Sequence, residues 1–267
     1  MDRFELLRVL GTGSYGTARL VRQSGGGTEE LRVVKEVRLP TTATEALLTR
    51  AGTAAALAPS AASGGVSKLC EAQREAQREV NVLRSLSHIN VVAYYDAFVE
   101  QGNLHIVMEY ADGGDLHAAV ERRRPEGRHF PQEEALSILA QCCDALQHVH
   151  NRHVLHRDLK SQNIFLTSAG AVKIGDFGVS RVLEGTLALA RSVVGTPSYM
   201  APEIIDGEPY GTKADMWSLG VVFHEILSLE LPFQAPCIAT LVVRICSGAP
   251  RPLPLDLYNE GTIGLAA

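Results

Sequence analysis

Apolar and polar positions change rhythm along this chain. The first forty residues carry short apolar-rich segments broken by glycine. Phe4-Glu5-Leu6-Leu7-Arg8-Val9-Leu10 precedes a glycine run, Ala18-Arg19-Leu20-Val21 follows it, and Gly25-Gly26-Gly27 marks a second turn before Leu31-Arg32-Val33-Val34-Lys35-Glu36-Val37. That pattern predicts an antiparallel meander. A further strand pattern ends in Leu104-His105-Ile106-Val107-Met108-Glu109-Tyr110.

Beyond Gly113-Gly114 the period lengthens. Pro131-Gln132-Glu133-Glu134 reads as a helix start, and Ala135, Ile138, Leu139, Cys142, Leu146 and Val149 then recur at helical spacing. A second helical stretch runs from about Asp215 to Leu229. Glu71 to Glu79 contains a doubled Ala-Gln-Arg-Glu and is strongly helix-forming, with Glu71, Glu75 and Glu79 on one face and Val80 and Leu83 as its apolar contacts. Residues 40–67 are rich in Ala, Gly, Ser and Thr and read as a low-complexity insertion, which a surface loop accommodates at small entropic cost. The chain is thus β-rich first and α-rich afterwards.

Composition narrows the classes. Hydrophobic residues make up 46% of the 267, which suits a folded core, and the net charge of -5 gives no reason to expect nucleic acid or an acidic membrane as partner. The cysteines, five in number, contain no C-x-x-C pair, so neither a disulfide framework nor a zinc site is expected, and a reducing compartment fits. The start resembles no signal peptide, and no run of about eighteen apolar residues occurs. The expectation is a soluble, cytoplasmic chain without a membrane span.

Gly11-Thr12-Gly13-Ser14-Tyr15-Gly16 is a G-x-G-x-x-G lying between two strand patterns rather than opening a helix. Such a hairpin offers backbone N–H groups to phosphates, although glycine turns that bind nothing are common. Lys35 lies 19 residues past Gly16. A strand lysine is ordinarily exposed; the functional reading is a cation on the α/β-phosphates held by a helix glutamate. Glu79 is the first choice for that partner because Val80 and Leu83 fix its face, and Glu75, one turn earlier, is the second.

The densest signal is Val154-Leu155-His156-Arg157-Asp158-Leu159-Lys160-Ser161-Gln162-Asn163, followed by Lys173-Ile174-Gly175-Asp176-Phe177-Gly178. Taken singly, each acid reads as a turn or capping residue. Together they supply what phosphoryl transfer requires: a carboxylate to orient a hydroxyl and accept its proton, and hard oxygen ligands for Mg²⁺. Gly195-Thr196-Pro197-Ser198-Tyr199-Met200-Ala201-Pro202-Glu203 and Asp215-Met216-Trp217-Ser218-Leu219-Gly220 complete the series.

In this order the motifs resemble the protein-kinase signature set, over about Phe4 to Gly248. The resemblance implies an α+β, bilobal fold: a five-stranded antiparallel N-lobe sheet with one main helix, then a mainly helical C-lobe, with ATP between them. Residues 4–267 would form a single kinase domain, 4–109 the N-lobe with its insertion and 110–267 the C-lobe. It also implies roles. Leu10, Gly11, Thr12, Gly13, Ser14, Tyr15 and Gly16 cover the nucleotide. Lys35 pairs with Glu79. Ala18, Val33 and Phe165 sandwich the adenine. Glu109 and Ala111 offer hinge contacts beside Met108, and Asp115 reaches the ribose. Asp158 accepts the substrate proton, Lys160 supports the phosphate, Asn163 and Asp176 hold Mg²⁺, and Thr196 shapes the substrate site. Lys160 places the chain on the serine/threonine side. Leu83, Tyr94, His156 and Phe177 match a stacked spine, so His156 is structural. The remaining histidines, among them His148 and His150, read as surface or packing residues, and Cys142 and Cys143 as core.

Closer still, Lys160-Ser161-Gln162-Asn163-Ile164-Phe165-Leu166-Thr167, Ile174-Gly175-Asp176-Phe177-Gly178-Val179-Ser180-Arg181-Val182-Leu183 and Ala190-Arg191-Ser192 resemble the NIMA-related kinases. Ser192 then takes the place of the activation-loop phosphosite, and the centrosome, cytoskeleton and cilium become candidate locations. The implied activity is that of a non-specific protein serine/threonine kinase acting on protein substrates with ATP and Mg²⁺. The departure comes after Gly248, where the family pattern continues through further helices and an arginine that pairs with the match of Glu203. Here Pro250 to Ala267 follow instead, so the reading expects a truncated C-lobe, exposed apolar surface and an unpaired Glu203. A catalytically silent pseudokinase is the rival that this ending favours and that Lys35, Asp158, Asn163 and Asp176 oppose. A small-molecule kinase is opposed by the Thr196–Glu203 segment.

Overall fold

The first ladder of the protein is longer than its glycines suggest. In the computed structural model, which describes residues 4–13, 16–25, 28–38, 84–100, 103–177 and 197–266, β1 (Phe4–Gly13), β2 (Gly16–Gly25) and β3 (Thr28–Arg38) form consecutive antiparallel hairpins. The glycine run, expected as a turn, is part of the sheet. Gly11 pairs with Ala18 and Gly13 with Gly16, with register shifts after Leu6 and Val9. β4 (Tyr94–Glu100) and β5 (Asn103–Glu109) complete a five-stranded antiparallel sheet in the order β1-β2-β3-β5-β4. Its core is Val21, Val34 and Val107, against which Phe4 and Phe98 pack.

The described residues fall into two compact units. One contains those up to Ser87 together with Val92–Tyr110; the other contains His88–Val91 and those from Ala111 onward. The sheet belongs to the first. The segment His88–Val91, expected in the first lobe, belongs to the second for a plain reason. The Asn90 side chain donates to Val172 O at 2.8 Å and to Gln141 Oε1 at 2.9 Å, while Ile174 N donates to Asn90 O at 2.8 Å.

In the second unit, β6 (Gly114–Asp115), β7 (Ile164–Leu166) and β8 (Val172–Ile174) make a small antiparallel sheet. Helix α1 (Leu116–Arg123) starts where Asp115 Oδ1 accepts Ala118 N at 2.8 Å, satisfying a donor that the helix cannot. Helix α2 (Gln132–His150) buries Ala135, Ile138, Cys142, Ala145, Leu146 and Val149, close to the predicted stripe. Cys143, expected in the core, is exposed. Adjacent helical positions lie about 100° apart, so the stripe that takes Cys142 turns Cys143 outward. Burial pushes the Cys142 thiol well above the usual cysteine range.

Helices α3 (Pro202–Ile205) and α4 (Thr212–Ser228) follow. Helix α4 is buried on nearly every side from Val221 to Leu227, which marks it as the spine of this unit. Helix α5 (Ile238–Ser247) buries Leu241 and Ile245. After Gly248, the segment expected to lack helical cover forms one short helix, α6 (Glu260–Gly264), capped by Asn259, and buried Tyr258 donates its hydroxyl to Phe130 O at 2.9 Å. His224 on α4 holds the same segment through Arg251 O at 2.8 Å. The half-buried Glu203 carboxylate has no hydrogen-bond or ion-pair partner among the described residues. The helix expected over 71–79 and the insertion 40–67 lie outside the described residues.

One glycine of the hairpin is fixed by sterics. Gly16 has φ +143°, and a Cβ there would stand 1.8 Å from Glu36 O, whereas a Cβ on Gly11 meets nothing within 4 Å among the described residues. Gly16→Ala is therefore expected to cost about 2 kcal/mol or more of unfolding free energy, since both the backbone and the neighbouring strand must shift. Gly11→Ala is expected to stay within about 0.5 kcal/mol. Urea denaturation midpoints of the two variants check this contrast.

Candidate active site

The chemistry-bearing residues of the second unit sit on a loop that hangs from one buried carboxylate. Asp215, in the first turn of α4, is fully buried. A carboxylate in that position needs donors around it, or its charge is ruinously desolvated. Four donors supply them. Oδ2 accepts His156 N at 2.9 Å and His150 Nε2 at 2.8 Å; Oδ1 accepts Arg157 N at 3.0 Å and the Tyr210 hydroxyl at 2.8 Å. Burial first, and then the Asp215 charge, raise the Tyr210 pKa above its usual value. The two loop amides are the informative pair. Arg157 has φ +67°, a left-handed conformation that a non-glycine residue holds only when its surroundings enforce it. Asp215 is that enforcement. His150, read from sequence as a packing residue, is one of its partners.

His156 is also fully buried and structural, as expected. Its Nε2 donates to Gly175 O at 3.0 Å, so Nδ1 is left to accept Asp158 N at 3.3 Å. Burial lowers its pKa and keeps the ring neutral, which this tautomer requires. The ring packs on Phe177 with centroids 4.6 Å apart.

From this base Asp158 projects, one-third exposed. Lys160 Nζ donates to its Oδ2 at 2.7 Å. Asn163 Nδ2 donates to the same Oδ2 at 3.1 Å and to Asp158 O at 2.7 Å. Both amide protons of buried Asn163 are thus used on Asp158, and its oxygen faces elsewhere, which is the atom a hard cation needs. A 3₁₀ turn, Ser161–Asn163, makes this possible by bringing Asn163 back towards Asp158 within five residues. The β7–β8 hairpin then returns the chain. Ile164 pairs with Ile174, and Gly175 N donates to Asn163 O at 2.9 Å, so Asp176 follows directly after the residue bonded to Asn163. Asp176 itself takes φ +61°.

Asn163 and Asp176 fit Mg²⁺ by their chemistry: one amide and one carboxylate oxygen, both hard, with no sulfur or imidazole among them. Among the described residues no group of three or more His, Cys, Asp or Glu could hold a metal, so a site of the zinc kind is not assembled there.

The first unit carries the other predicted residues. Ala18 pairs with Lys35 and Lys35 with Ile106, while Val33 pairs with Met108. Cross-strand partners share a face and strands repeat every two residues, so Ala18, Val33, Lys35 and Met108 line one face of the sheet. Gly11 and Thr12 lie at the end of that ladder, and Leu10 is exposed beside them. Glu109 N donates to Ala93 O at 2.9 Å, and its Oε2 accepts Ala93 N at 3.1 Å, which fixes the end of β5. In the second unit Asp115 pairs with Phe165 across β6 and β7, and one Asp115 oxygen is already used as the α1 cap. Ala111 is half-buried. Ser14, Tyr15, Glu79, Ser192 and Thr196 lie outside the described residues.

The sequence carried Asp215 only as part of a motif, without a role; an acid in a first helical turn reads as a dipole partner, and nothing local reveals the loop it holds. A second buried acid likewise has no local signal in the sequence. Glu225 on α4 accepts the Tyr199 hydroxyl at 2.7 Å, and that hydroxyl lies 3.0 Å from Ser161 Oγ.

Residues 63–248 match the protein kinase domain family. The chain is 39% identical to the serine/threonine-protein kinase Nek1 of Mus musculus over 95% of its own length and 18% of that protein, and 38% identical to mouse Nek3 over 99% and 45%. It is 32% identical to the serine/threonine-protein kinase nekl-2 of Caenorhabditis elegans over 97% of this chain and 67% of that one. The chain therefore spans less than half the length of the two mouse relatives. By these matches, and by the motifs that carry them, the chain belongs to the protein kinases and, among them, to the NIMA-related serine/threonine kinases.

Proposed function

We propose that this chain transfers the γ-phosphate of ATP to serine and threonine hydroxyls of protein substrates, with Mg²⁺ as cofactor. The observation that carries the reading is the convergence of Lys160 and Asn163 on the Asp158 carboxylate, with Asp176 one residue beyond the amide bonded to Asn163.

Phosphoryl transfer asks for alignment and charge more than for covalent help. Asp158 is held on one oxygen by two donors, which fixes the direction in which the carboxylate meets an incoming hydroxyl. It orients that hydroxyl and accepts its proton as the oxygen attacks. Lys160, bonded to the same oxygen, brings a positive charge to the place where the transferred group becomes most negative. Asn163 and Asp176 would hold Mg²⁺, which would supply positive charge against the phosphates. In the first unit, Gly11, Gly13 and Gly16 cover the phosphates, Lys35 pairs them, and the face bearing Ala18, Val33 and Met108 takes the adenine. Glu79 as the Lys35 partner, Thr196 at the substrate hydroxyl and Ser192 as activating phosphosite complete the reading. Free thiols at Cys142, Cys143, Cys237 and Cys246 suit work in the reducing cytoplasm.

The direct test is transfer of radiolabelled γ-phosphate from ATP to a generic protein substrate. Asp158→Ala is expected to lower the rate by about 10²–10⁴-fold, and chelation of Mg²⁺ with EDTA to abolish it; transfer that persists through both would refute the proposal. Asp215→Asn places an amide NH₂ group against backbone donors. It is expected to slow transfer even though it touches no substrate, and to cost about 3 kcal/mol or more of stability. Rates and chemical-denaturation curves on the same preparations check both effects.

A further inference from the structure

We propose that Asp112 is a positioning residue for nucleotide binding: its carboxylate clasps Ser168 and so holds residues 111–115 in the form that presents Ala111 to the adenine and Asp115 to the ribose of ATP. The inference rests on the kinase reading above.

Residues 111–115 carry little local restraint of their own. Strand β6 is two residues long, with Gly114 paired to Leu166 and Asp115 to Phe165 of β7. Before it stands Gly113, whose N–H donates to Leu166 O at 2.8 Å. A Cβ on Gly113 would stand 2.8 Å from Leu166 O and 3.1 Å from Leu166 Cβ, so the backbone there lies directly against β7. Gly114 has φ +79°. Close approach and a left-handed turn thus call for two glycines in succession, and glycine is the residue with most backbone freedom to lose. A short ladder behind two glycines is a weak hold on the residues ahead of it.

Asp112 supplies the hold. Its Oδ1 accepts Ser168 N at 2.7 Å and its Oδ2 accepts Ser168 Oγ at 2.5 Å. Both oxygens grip one residue, which fixes direction as well as distance. The hydroxyl bond first, and then the backbone bond, hold the Asp112 carboxyl below its usual pKa, so the clasp keeps its charge. The receiving turn is itself closed. Thr167 N donates to Ala171 O at 2.9 Å, Gly170 N to Thr167 O at 3.0 Å and Ala171 N to Thr167 Oγ1 at 3.0 Å. Gln141 of α2 secures its far side, where Oε1 accepts Val172 N at 2.9 Å. A run of hydrogen bonds therefore reaches from α2 through the turn to Asp112.

The residues held are those on which the adenosine half of ATP would rest. Ala111 directly precedes Asp112, and Asp115 follows three residues later, paired across the ladder with Phe165. One Asp115 oxygen caps α1, so the direction of the other depends on how this segment lies. A segment already ordered spares the nucleotide the cost of ordering it, and that saving appears as affinity. Asp158, Lys160 and Asn163 are held by a separate set of bonds, so the rate of transfer does not pass through the clasp. Asp112 and Ser168 are both exposed, and truncating them opens no cavity in the core.

The experiment measures ADP binding by titration calorimetry, with KM for ATP and kcat for peptide phosphorylation in parallel. The proteins are the wild type, Asp112→Ala, Ser168→Ala, their double variant and Asp112→Asn. Asp112→Ala is expected to raise the ADP Kd and the KM for ATP about threefold with kcat unchanged. Ser168→Ala, which keeps the backbone donor, is expected to raise them less. The double variant is expected to be no weaker than Asp112→Ala, because the two side chains form one contact. Asp112→Asn keeps an oxygen for Ser168 N and an amide for Ser168 Oγ, and is expected to bind as the wild type does. Without nucleotide, the Gly113 amide is expected to exchange its hydrogen faster in Asp112→Ala than in the wild type. Affinities that match the wild type in Asp112→Ala, losses that simply add in the double variant, or Gly113 exchange that does not change overturn the proposal. A wild type that binds ADP through this clasp yet transfers no phosphate overturns the kinase reading and leaves the clasp standing.

Discussion

A carboxylate sealed from water dictates its own surroundings, and Asp215 dictates those of the loop His156–Asp158. It is fully buried, and four donors converge on its two oxygens. Two of the four are the backbone amides of His156 and Arg157, so the loop cannot relax without stranding the charge. That coupling is what keeps Arg157 left-handed, directly before the partly exposed Asp158. The strain at the loop and the burial of the acid each cost free energy; each is tolerable because the other is present.

The rest of the site extends this arrangement by short hydrogen-bonded steps. The neutral His156 ring ties the loop to Gly175, the Ser161–Asn163 turn folds Asn163 onto Asp158, and the β7–β8 hairpin returns Asp176 to their side. Two residues thirteen positions apart, Asn163 and Asp176, thereby become neighbours through one backbone bond from Gly175. Helix α4 supports the whole from beneath with two acids: Asp215 for the loop and Glu225 for the Tyr199–Ser161 link. Both are polar groups placed in a helix that is otherwise closely packed with Val221, Val222, Phe223, Ile226 and Leu227. Apolar packing makes α4 rigid, and the two carboxylates transmit that rigidity to the site.

The sheet of the first unit works through a different constraint. Pairing register, rather than charge, aligns Ala18, Val33, Lys35 and Met108 on one face. Gly16 is required where β2 approaches Glu36, while a Cβ on Gly11 would meet no described residue. The glycine motif therefore combines a residue demanded by the fold with one that the described strands leave unconstrained.

The sequence by itself determined the β-rich start of the chain, helices α2 and α4 and most of the buried stripe of α2, because periodicity and helix starts are properties of neighbouring positions. Strand ends were less legible: the ladder runs through Gly11 and Gly13, since pairing with Ala18 and Gly16 outweighs the local preference of glycine for a turn. Cys142 and Cys143 could not be told apart until a helix face was chosen for one of them. The roles of Asp215 and His150 and the Glu225–Tyr199 bond were decided by tertiary structure alone. Apart from Tyr210, five residues before Asp215, their partners lie 26 to 65 residues away along the chain, and what a buried charge does depends on which donors the fold brings to it.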